Sequence, residues 1–348
     1  MKPLHFPPLW QALAAEHPEW VLCRVILQRK GQYQLVTEDG TEQAGVVSGK
    51  FRYNAQTLSD YPAVGDYVMA EPNANGAALI HKVLHRKSVF VRKAAGTAQT
   101  EQVVAANLDK VFLCMALNLD FNLRRLERYL TVAWDSGAAP VVVLTKADLC
   151  QDLSSKLAQV EAIALGAEVL VTSALESDGY AALLTQLTPG ATVAFVGSSG
   201  VGKSTLINRL MGREILATNG LRNDDKGRHT TTHRALLALP NGALVIDTPG
   251  MRELGLCDAG DGMDTAFQDI VALAQQCRFH NCSHGAEPGC AIRAALADGS
   301  LSEERWHSYQ KLAAETAYAQ DVGSYLASKE RKFKNIAKIN KANRRKKP

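Results

Sequence analysis

A stretch of nine residues, GSSGVGKST at 197–205, constrains the fold of this chain more than any other feature. It fits the pattern G-x-x-x-x-G-K-[ST] of a phosphate-binding loop, in which glycines let the backbone approach phosphates and successive N–H groups bind them. The apolar run at 192–196 predicts a buried strand before the loop, and 203–210 predict a helix whose N-terminus attracts anions. The loop residues expected to bind nucleotide phosphates are Gly197, Ser198, Ser199, Gly200, Val201, Gly202, Lys203, Ser204 and Thr205.

A second element, Asp-Thr-Pro-Gly at 247–250, follows another apolar run. Lys203 is expected to reach the outer phosphates, while the Ser204 hydroxyl binds Mg²⁺ and Asp247 binds the same ion through a water. Gly250 offers a backbone N–H to a γ-phosphate. Pro-Gly turns are common, but one placed downstream of a phosphate loop predicts a nucleoside triphosphate hydrolase with Lys203, Asp247 and Gly250 as catalytic residues.

Residues 145–148, Thr-Lys-Ala-Asp, resemble the Asn-Lys-x-Asp motif with which GTPases read the base, with Thr145 in place of asparagine. A carboxylate at Asp148 accepts hydrogen bonds from the ring N–H and the amino group of guanine, a donor pair that adenine lacks. Lys146 is expected to pack its stem over the base. The alternative is a Lys/Asp pair without a binding role. The residues expected to contact the base are Thr145, Lys146, Ala147, Asp148, Ser173 and Ala174.

Three of the seven cysteines crowd into a fourteen-residue segment near the C-terminus. Cys277, Cys282, His284 and Cys290 offer four soft ligands, and a Cys₃His set suits tetrahedral Zn²⁺. His280 is a competing ligand. Because four ligands leave no open position, we expect one structural zinc ion. The remaining cysteines are scattered, which favours buried thiols in a reducing cytoplasm over a disulfide scaffold.

The charge of the chain is divided unevenly. The net charge is +4, but residues 329–348 carry ten Lys or Arg and one acidic residue, so the remaining 328 residues carry 29 basic and 34 acidic groups, a net of −5. We expect this basic tail to contact RNA; a membrane-surface helix and a solvated tail are the alternatives. No apolar run reaches 18 residues and the N-terminus lacks the pattern of a signal peptide, so we expect no membrane span and a cytoplasmic location.

Short alternating stretches predict a small all-β barrel near the N-terminus. An OB-fold is the common five-stranded barrel, although other small barrels fit the pattern equally well. The predicted strands are residues 21–28, 32–37, 43–47, 66–71 and 77–84. A basic connector follows at 87–100. Four side chains within it or just before it are candidates to face a phosphate backbone, with ordinary solvated charges as the alternative. They are Arg86, Lys87, Arg92 and Lys93.

From residue 109, strands alternate with helices, which predicts a mostly parallel sheet covered on both faces. The predicted strands are 110–116, 140–144, 168–172, 192–196, 234–239 and 243–247. The predicted helices are 122–136, 153–165, 180–187 and 203–210, with two more after the cysteine cluster at 291–297 and 302–319.

The order of the motifs is unusual for a GTPase. The base motif at 145–148 and the Thr-Ser-Ala segment at 172–174 precede the phosphate loop, which comes first in the usual GTPase. The same sheet is kept if the old termini are joined and new ones are opened elsewhere, and such permutation is tolerated where termini lie close together. The sequence therefore predicts a circularly permuted GTPase domain.

These features resemble the family of GTPases that depend on the small ribosomal subunit, RsgA, also called YjeQ. The resemblance covers about residues 20–320 and rests on the permuted order, the flanking barrel and Cys/His cluster, and segments 87–89, 227–232 and 247–250. It implies a multidomain fold, with His284 favoured over His280 as a zinc ligand. The expected parts are an N-terminal all-β OB-fold barrel (1–95), a central circularly permuted α/β P-loop GTPase domain (96–258), a mostly helical zinc-binding domain (259–328) and the basic tail (329–348).

The resemblance also implies a reaction and partners. It implies slow hydrolysis of GTP to GDP, stimulated by the small (30S) ribosomal subunit, and a role in late maturation of that subunit with contacts to rRNA. We expect a monomer. The sequence leaves open an RNA-binding assembly protein that uses GTP mainly as a binding switch, a divergent paralogue with another RNA target, and a metabolic ATPase or kinase built on the same loop.

Residues 227–232 lie between the phosphate loop and Asp247, where the first switch loop of a GTPase belongs. A threonine there can complete the Mg²⁺ shell, and we favour Thr231 among three consecutive threonines. Met251 occupies the position where many GTPases have a glutamine that orients the attacking water. Because methionine cannot orient water, we expect slow intrinsic hydrolysis with His229 or a ribosomal group completing the site. A structural role for His229 is the alternative.

Overall fold

A computed structural model of the chain describes residues 4–93, 101–173, 179–216, 234–247 and 261–320, apart from residues 5, 30 and 119. Several residues with predicted roles lie outside the described residues, as does the basic tail. They are Ala174, His229, Thr231, Gly250, Met251 and Cys257.

Five strands near the N-terminus form a barrel: β1 (Val21–Arg29), β2 (Gln32–Val36), β3 (Glu42–Val47), β4 (Tyr67–Glu71) and β5 (Ala78–Val83). Antiparallel pairing joins β1 to β2 and β4, β2 to β3, and β4 to β5, and a parallel pairing of β3 with β5 closes the barrel. Val25, Val68 and Ile80 are fully buried in its core. The predicted five-stranded OB-like barrel is therefore confirmed.

Two short helices accompany the barrel. Trp10 of α1 (Pro8–Ala15) stacks on Tyr67 with ring centroids 4.2 Å apart. The helix α2 (Gly49–Asn54) starts after Ser48, whose hydroxyl accepts a hydrogen bond from the backbone N–H of Phe51. We did not predict α2, because six residues are too few to show helical periodicity.

A β-hairpin leads from the barrel to the central sheet. Its strands, β6 (Val89–Lys93) and β7 (Glu101–Ala106), pair antiparallel, with Phe90 buried. We predicted a basic connector at 87–100 and no strand within it; its first residues form β6, because their apolar run pairs with the apolar run of β7.

The basic residues before the hairpin are used inside the protein. Arg86 donates hydrogen bonds to both carboxylate oxygens of the buried Asp66, at 2.8 and 2.7 Å. Lys87 forms an ion pair with Asp109. The expectation that these two charges face a phosphate backbone is therefore wrong. The side chains of Arg92 and Lys93 lie outside the part that the structure describes.

A sheet with helices on both sides forms the centre of the molecule. Its strands are β8 (Lys110–Ala116), β9 (Ala139–Thr145), β10 (Glu168–Val171), β11 (Thr192–Val196), β12 (Arg234–Ala238) and β13 (Leu244–Asp247), and its helices are α3 (Leu123–Asp135), α4 (Leu153–Glu161), α5 (Ala181–Thr185) and α6 (Lys203–Met211). The order of these described strands is β10-β9-β8-β11-β13-β12, and among them only β12 runs antiparallel. Consecutive residues of β8, Phe112 and Leu113, are fully buried in different core clusters. The predicted parallel sheet, covered on both faces, is confirmed.

The barrel and the central sheet are hydrogen-bonded into one eleven-stranded sheet, which we did not predict. β1 pairs antiparallel with β12, and Leu27 lies opposite Ala235. Arg24 of β1 adds a buried link, since it is 2% exposed and donates a hydrogen bond to Thr192 Oγ1 of β11 at 2.7 Å. The barrel is therefore an extension of the central sheet.

After the sheet, the described residues 261–320 form four helices: α7 (Asp261–Ala266), α8 (Gln268–Gln275), α9 (Ala291–Asp298) and α10 (Glu303–Gln320). We predicted α9 and α10 but not α7 and α8. The start of α8 has no side-chain N-cap to mark it. Arg305 of α10 is buried and ties these helices to α3 by donating to Glu127 at 3.0 Å and to Asp269 at 2.6 Å. Among the helices of the described part, none is long and apolar enough to cross a membrane.

Gly262 marks a close approach of α7 to α3. A Cβ at this position would lie 2.4 Å from both the backbone N of Asp135 and the backbone O of Thr131. We predict that Gly262→Ala lowers the free energy of unfolding by about 1–3 kcal/mol, the usual cost of overpacking, in urea denaturation followed by circular dichroism. Gly49→Ala is the control, because a Cβ there meets nothing within 4 Å. Equal stability of the two variants would contradict this close packing.

Candidate phosphate-binding site and metal centre

The phosphate loop lies between β11 and α6, at the carboxyl edge of the parallel sheet. Gly197 has φ of 152° and Gly202 has φ of 101°, values that favour glycine. A Cβ at Gly197 would lie 2.4 Å from the carbonyl O of Cys114 in β8. Only glycine therefore lets the loop start so close to the neighbouring strand. Ser199 and Gly200 are exposed, which leaves the tip of the loop open to a ligand.

Lys203 and Ser204 begin the helix after the loop. The Lys203 Nζ donates hydrogen bonds to the carbonyl O of Gly197 at 2.6 Å and to that of Ser198 at 2.7 Å. The ammonium group therefore lies across the start of the loop, where a phosphate oxygen can replace these carbonyls as acceptor. Ser204 and the following Thr205 are half-buried in the first turn of α6.

A side-chain hydrogen bond ties the base motif to the phosphate loop. Thr145 ends β9, and its hydroxyl donates to the carbonyl O of Val201 at 2.5 Å, with both residues buried. Thr145 thus links the two loops. Lys146 then adopts φ of 60°, and the Asp148 carboxylate accepts a hydrogen bond from Ser173 Oγ at 2.6 Å. Ser173, just after β10, therefore fixes the carboxylate that we expect to read guanine.

The structure brings three distant parts of the sequence to one edge of the sheet: residues 145–148, Ser173 and the phosphate loop at 197–205. Asp247 ends β13, the parallel neighbour of β11, so its backbone lies at the same edge. This meeting of segments follows from parallel pairing, because the carboxyl ends of parallel strands lie together and form the usual ligand site of such sheets.

Two further residues contact the loop, and we did not predict them. Asp120, in the turn after β8, accepts a hydrogen bond from the Ser198 hydroxyl. Arg125, in the first turn of α3, donates to Ser198 Oγ at 3.1 Å and to Asp120 Oδ1 at 2.7 Å. Partial burial opposes ionisation of Asp120, but the hydrogen bonds from Ser198 and Arg125 outweigh it and lower the pKa of this carboxyl. The signal in the sequence was a polar turn at the carboxyl end of a parallel strand.

The predicted cysteine cluster is assembled in the structure. The potential ligand atoms of Cys277, Cys282, His284 and Cys290 all lie within 4.8 Å of one another, and His280 is not among them. His284 Nδ1 is 3.6 Å from Cys277 Sγ and 3.5 Å from Cys290 Sγ. An ion with tetrahedral bonds of about 2.3 Å to sulfur and about 2.1 Å to nitrogen separates these atoms by about 3.6 Å. The donor set and its spacing are compatible with zinc.

The cluster lies in the loop between α8 and α9. Cys290 precedes the first turn of α9, and the backbone N–H of Ala291 donates to Cys277 Sγ at 3.4 Å. Desolvation opposes ionisation of Cys277, but the N–H groups of Ala291 and Ile292 lower the pKa of its thiol. The helix N-terminus thereby favours the thiolate, which is the form that binds a metal.

Comparison with known proteins agrees with this geometry. A family model described as the RsgA GTPase matches residues 83–257. The small ribosomal subunit biogenesis GTPase RsgA 2 of Lactiplantibacillus plantarum is 52% identical over 86% of this chain and 84% of its own length. Among solved structures, YjeQ from Thermotoga maritima is similar with a TM-score of 0.64 at 28% identity, covering 85% of this chain and 98% of YjeQ.

A second solved structure bears on the order of the motifs. YloQ, described as a circularly permuted GTPase, is similar with a TM-score of 0.61 at 25% identity over 86% of this chain and 96% of YloQ. In this chain too, the strand that carries the base motif precedes the strand that carries the phosphate loop. The resemblance stated from the sequence is confirmed: the chain belongs to the RsgA GTPase family and is a circularly permuted GTP hydrolase with an N-terminal β-barrel.

Proposed function

We propose that this GTPase acts in biogenesis of the small ribosomal subunit, binding the subunit late in its maturation and leaving after GTP is hydrolysed. The observation that carries the proposal is the Lactiplantibacillus plantarum relative, which is named for this process and matches 86% of the chain at 52% identity. The basic tail at 329–348 supports contact with rRNA, since it contains ten basic residues and only one acidic residue. In this proposal the protein acts as a cytoplasmic monomer.

In this proposal the phosphate loop binds the phosphates of GTP and the base motif binds its guanine. The Lys203 ammonium exchanges the carbonyls of Gly197 and Ser198, now 2.6 and 2.7 Å away, for oxygens of the outer phosphates. Asp148, held by Ser173, accepts the two N–H donors of guanine. An adenine base leaves this carboxylate unpaired, which penalises ATP.

Hydrolysis requires that the charge developing on the phosphates be neutralised. Mg²⁺ supplies this neutralisation in GTPases of this kind. The residues proposed to hold it are Ser204, Thr231 and Asp247. Gly250 donates its N–H to the γ-phosphate, and Met251 stands where a glutamine would orient the water. Intrinsic hydrolysis is therefore slow, and His229 or a group of the ribosome completes the site.

The chain order suggests how hydrolysis is coupled to release. The segment that contains Gly250 leads directly into the C-terminal helices, in which Cys277, Cys282, His284 and Cys290 hold one structural zinc ion in this proposal. A change at the γ-phosphate can therefore reposition these helices against rRNA. GTP favours the bound state and GDP favours release.

The proposed partner is tested by phosphate release from GTP and from ATP, with and without purified small ribosomal subunits. We expect small subunits to raise GTP turnover several-fold, while large subunits do not and ATP is not hydrolysed. GTP turnover that is the same with and without small subunits would contradict the proposed ribosomal partner, while the assignment as a GTPase would stand. Preference for ATP would contradict the role given to Asp148.

Thr145→Val tests the link between the base motif and the phosphate loop. Because it leaves the buried carbonyl of Val201 without its donor, we expect guanine nucleotide affinity to fall about tenfold, measured by titration with fluorescent GDP. Thr145→Ser keeps the hydroxyl and should bind normally. Thr185→Val is the control, since its hydroxyl donates to Ala182 within α5 and is exposed. Normal affinity of the Thr145→Val protein would show that this link is dispensable.

The metal assignment predicts one zinc ion per chain, measured by elemental analysis. Cys282→Ser removes one of four ligands and should lower the zinc content, whereas Cys150→Ser should not, because Cys150 lies outside the cluster. Chelation should unfold the C-terminal helices while the central sheet keeps its structure. Complete removal of zinc without loss of helical circular dichroism would contradict a structural role.

A further inference from the structure

The turn after β8 and the first turn of α3 contact the phosphate loop through a closed ring of hydrogen bonds. The Ser198 hydroxyl donates to Asp120 and accepts from Arg125 at 3.1 Å, and Arg125 donates to Asp120 at 2.7 Å. Each of the three side chains thus bonds to both others. We propose that Asp120 and Arg125 are positioning residues that fix the phosphate loop through Ser198. This inference rests on the proposed role of the loop in holding GTP.

Both supports of the ring are themselves fixed. The Asn118 side chain accepts a hydrogen bond from the backbone N–H of Asp120 at 3.0 Å, which forms an Asx turn. The Asn122 side chain caps α3 by accepting from the backbone N–H of Arg125 at 3.0 Å. Ser198 is therefore bonded to a capped helix through Arg125 and to an Asx turn through Asp120. Both residues lie outside the nucleotide-binding motifs.

The loop needs this anchor when nucleotide binds. Lys203 now bonds to the carbonyls of Gly197 and Ser198, and it gives up these bonds when it turns to a phosphate. Gly197 stays in place because it packs against the carbonyl of Cys114. The side chain of Ser198 continues to bond to Asp120 and Arg125. The ring therefore preserves the shape of the loop while the lysine changes partners.

The two charged members of the ring have opposite effects on a bound phosphate. The Asp120 and Arg125 side chains are 36% and 34% exposed and form an ion pair at 2.7 Å. Removing Arg125 leaves an uncompensated carboxylate beside the phosphate loop, whereas removing Asp120 leaves a cation. Arg125→Ala should therefore weaken nucleotide binding more than Asp120→Ala does.

The test measures the affinity for GDP in the presence of Mg²⁺, together with kcat and KM for GTP, in the full chain. We expect Arg125→Ala and Ser198→Ala each to weaken GDP binding about threefold to tenfold and to raise KM more than they lower kcat. The protein with both Ser198→Ala and Arg125→Ala should lose less GDP affinity than the product of the two single fold-losses, because both residues act in one ring. Ser198→Thr keeps the hydroxyl and should restore the affinity.

Arg124→Ala is the matched control. Arg124 neighbours Arg125 on α3 and is 39% exposed, but it pairs with Glu127 instead of the loop. Its substitution should leave GDP affinity unchanged. Equal affinities of the Arg124→Ala and Arg125→Ala proteins would overturn the proposal, and so would multiplicative effects of Ser198→Ala and Arg125→Ala.

Two further measurements distinguish a positioning role of the ring from a purely structural role and from a failure of the phosphate site itself. The thermal midpoint of each variant without nucleotide reports on the fold, and a purely structural role would lower it without changing the affinity of the folded protein. Lys203→Ala reports on the proposed function. If Lys203→Ala binds GDP as the wild type does, the phosphate-site assignment fails and the ring fails with it. If only Lys203→Ala loses affinity, the ring alone is refuted.

Discussion

Parallel pairing of β9, β8, β11 and β13 is the constraint on which the rest of the structure depends, because it brings the carboxyl ends of these strands to one edge. The base motif, the turn with Asp120, the phosphate loop and Asp247 each lie at the end of one of them. Pairing in the sheet, and not order along the chain, decides which segments become neighbours. A permuted GTPase therefore still brings the base motif to the phosphate loop, where the Thr145 hydroxyl donates to the Val201 carbonyl at 2.5 Å although Thr145 comes first in the sequence.

Features decided by local pattern could be predicted from the sequence. The run of apolar residues at 192–196, followed by a glycine-rich loop, corresponds to β11, because it has the length of a buried strand and is too short for a typical helix. The five barrel strands follow in the same way from alternating side chains. The cluster of Cys277, Cys282, His284 and Cys290 was also apparent, since side chains so close in sequence stay close in space. The helix α3 was predicted from its own local pattern, since it is strongly amphipathic.

Features decided by contacts between distant segments could not be predicted. The pairing of β1 with β12 depends on where the barrel docks, and neither strand carries a signal for it. The contacts of Ser198 with Asp120 and Arg125 depend on the placement of α3 beside the loop, which no spacing in the sequence specifies. The basic residues Arg86 and Lys87 were misinterpreted for a similar reason, because their carboxylate partners lie about 20 residues away in sequence.

The joining of β1 to β12 has a consequence for how the chain folds as it is synthesised. β4 covers residues 21–24 on one edge of β1, and β12 covers the same edge at Leu27 and Gln28. Leu27 and its partner Ala235 are 208 residues apart. At a synthesis rate of about 5–20 residues per second, the partner strand appears about 10–40 s later. The new barrel thus emerges with a short open edge, and the polar side chains of Gln28 and Arg29 make that edge a poor template for pairing with another chain.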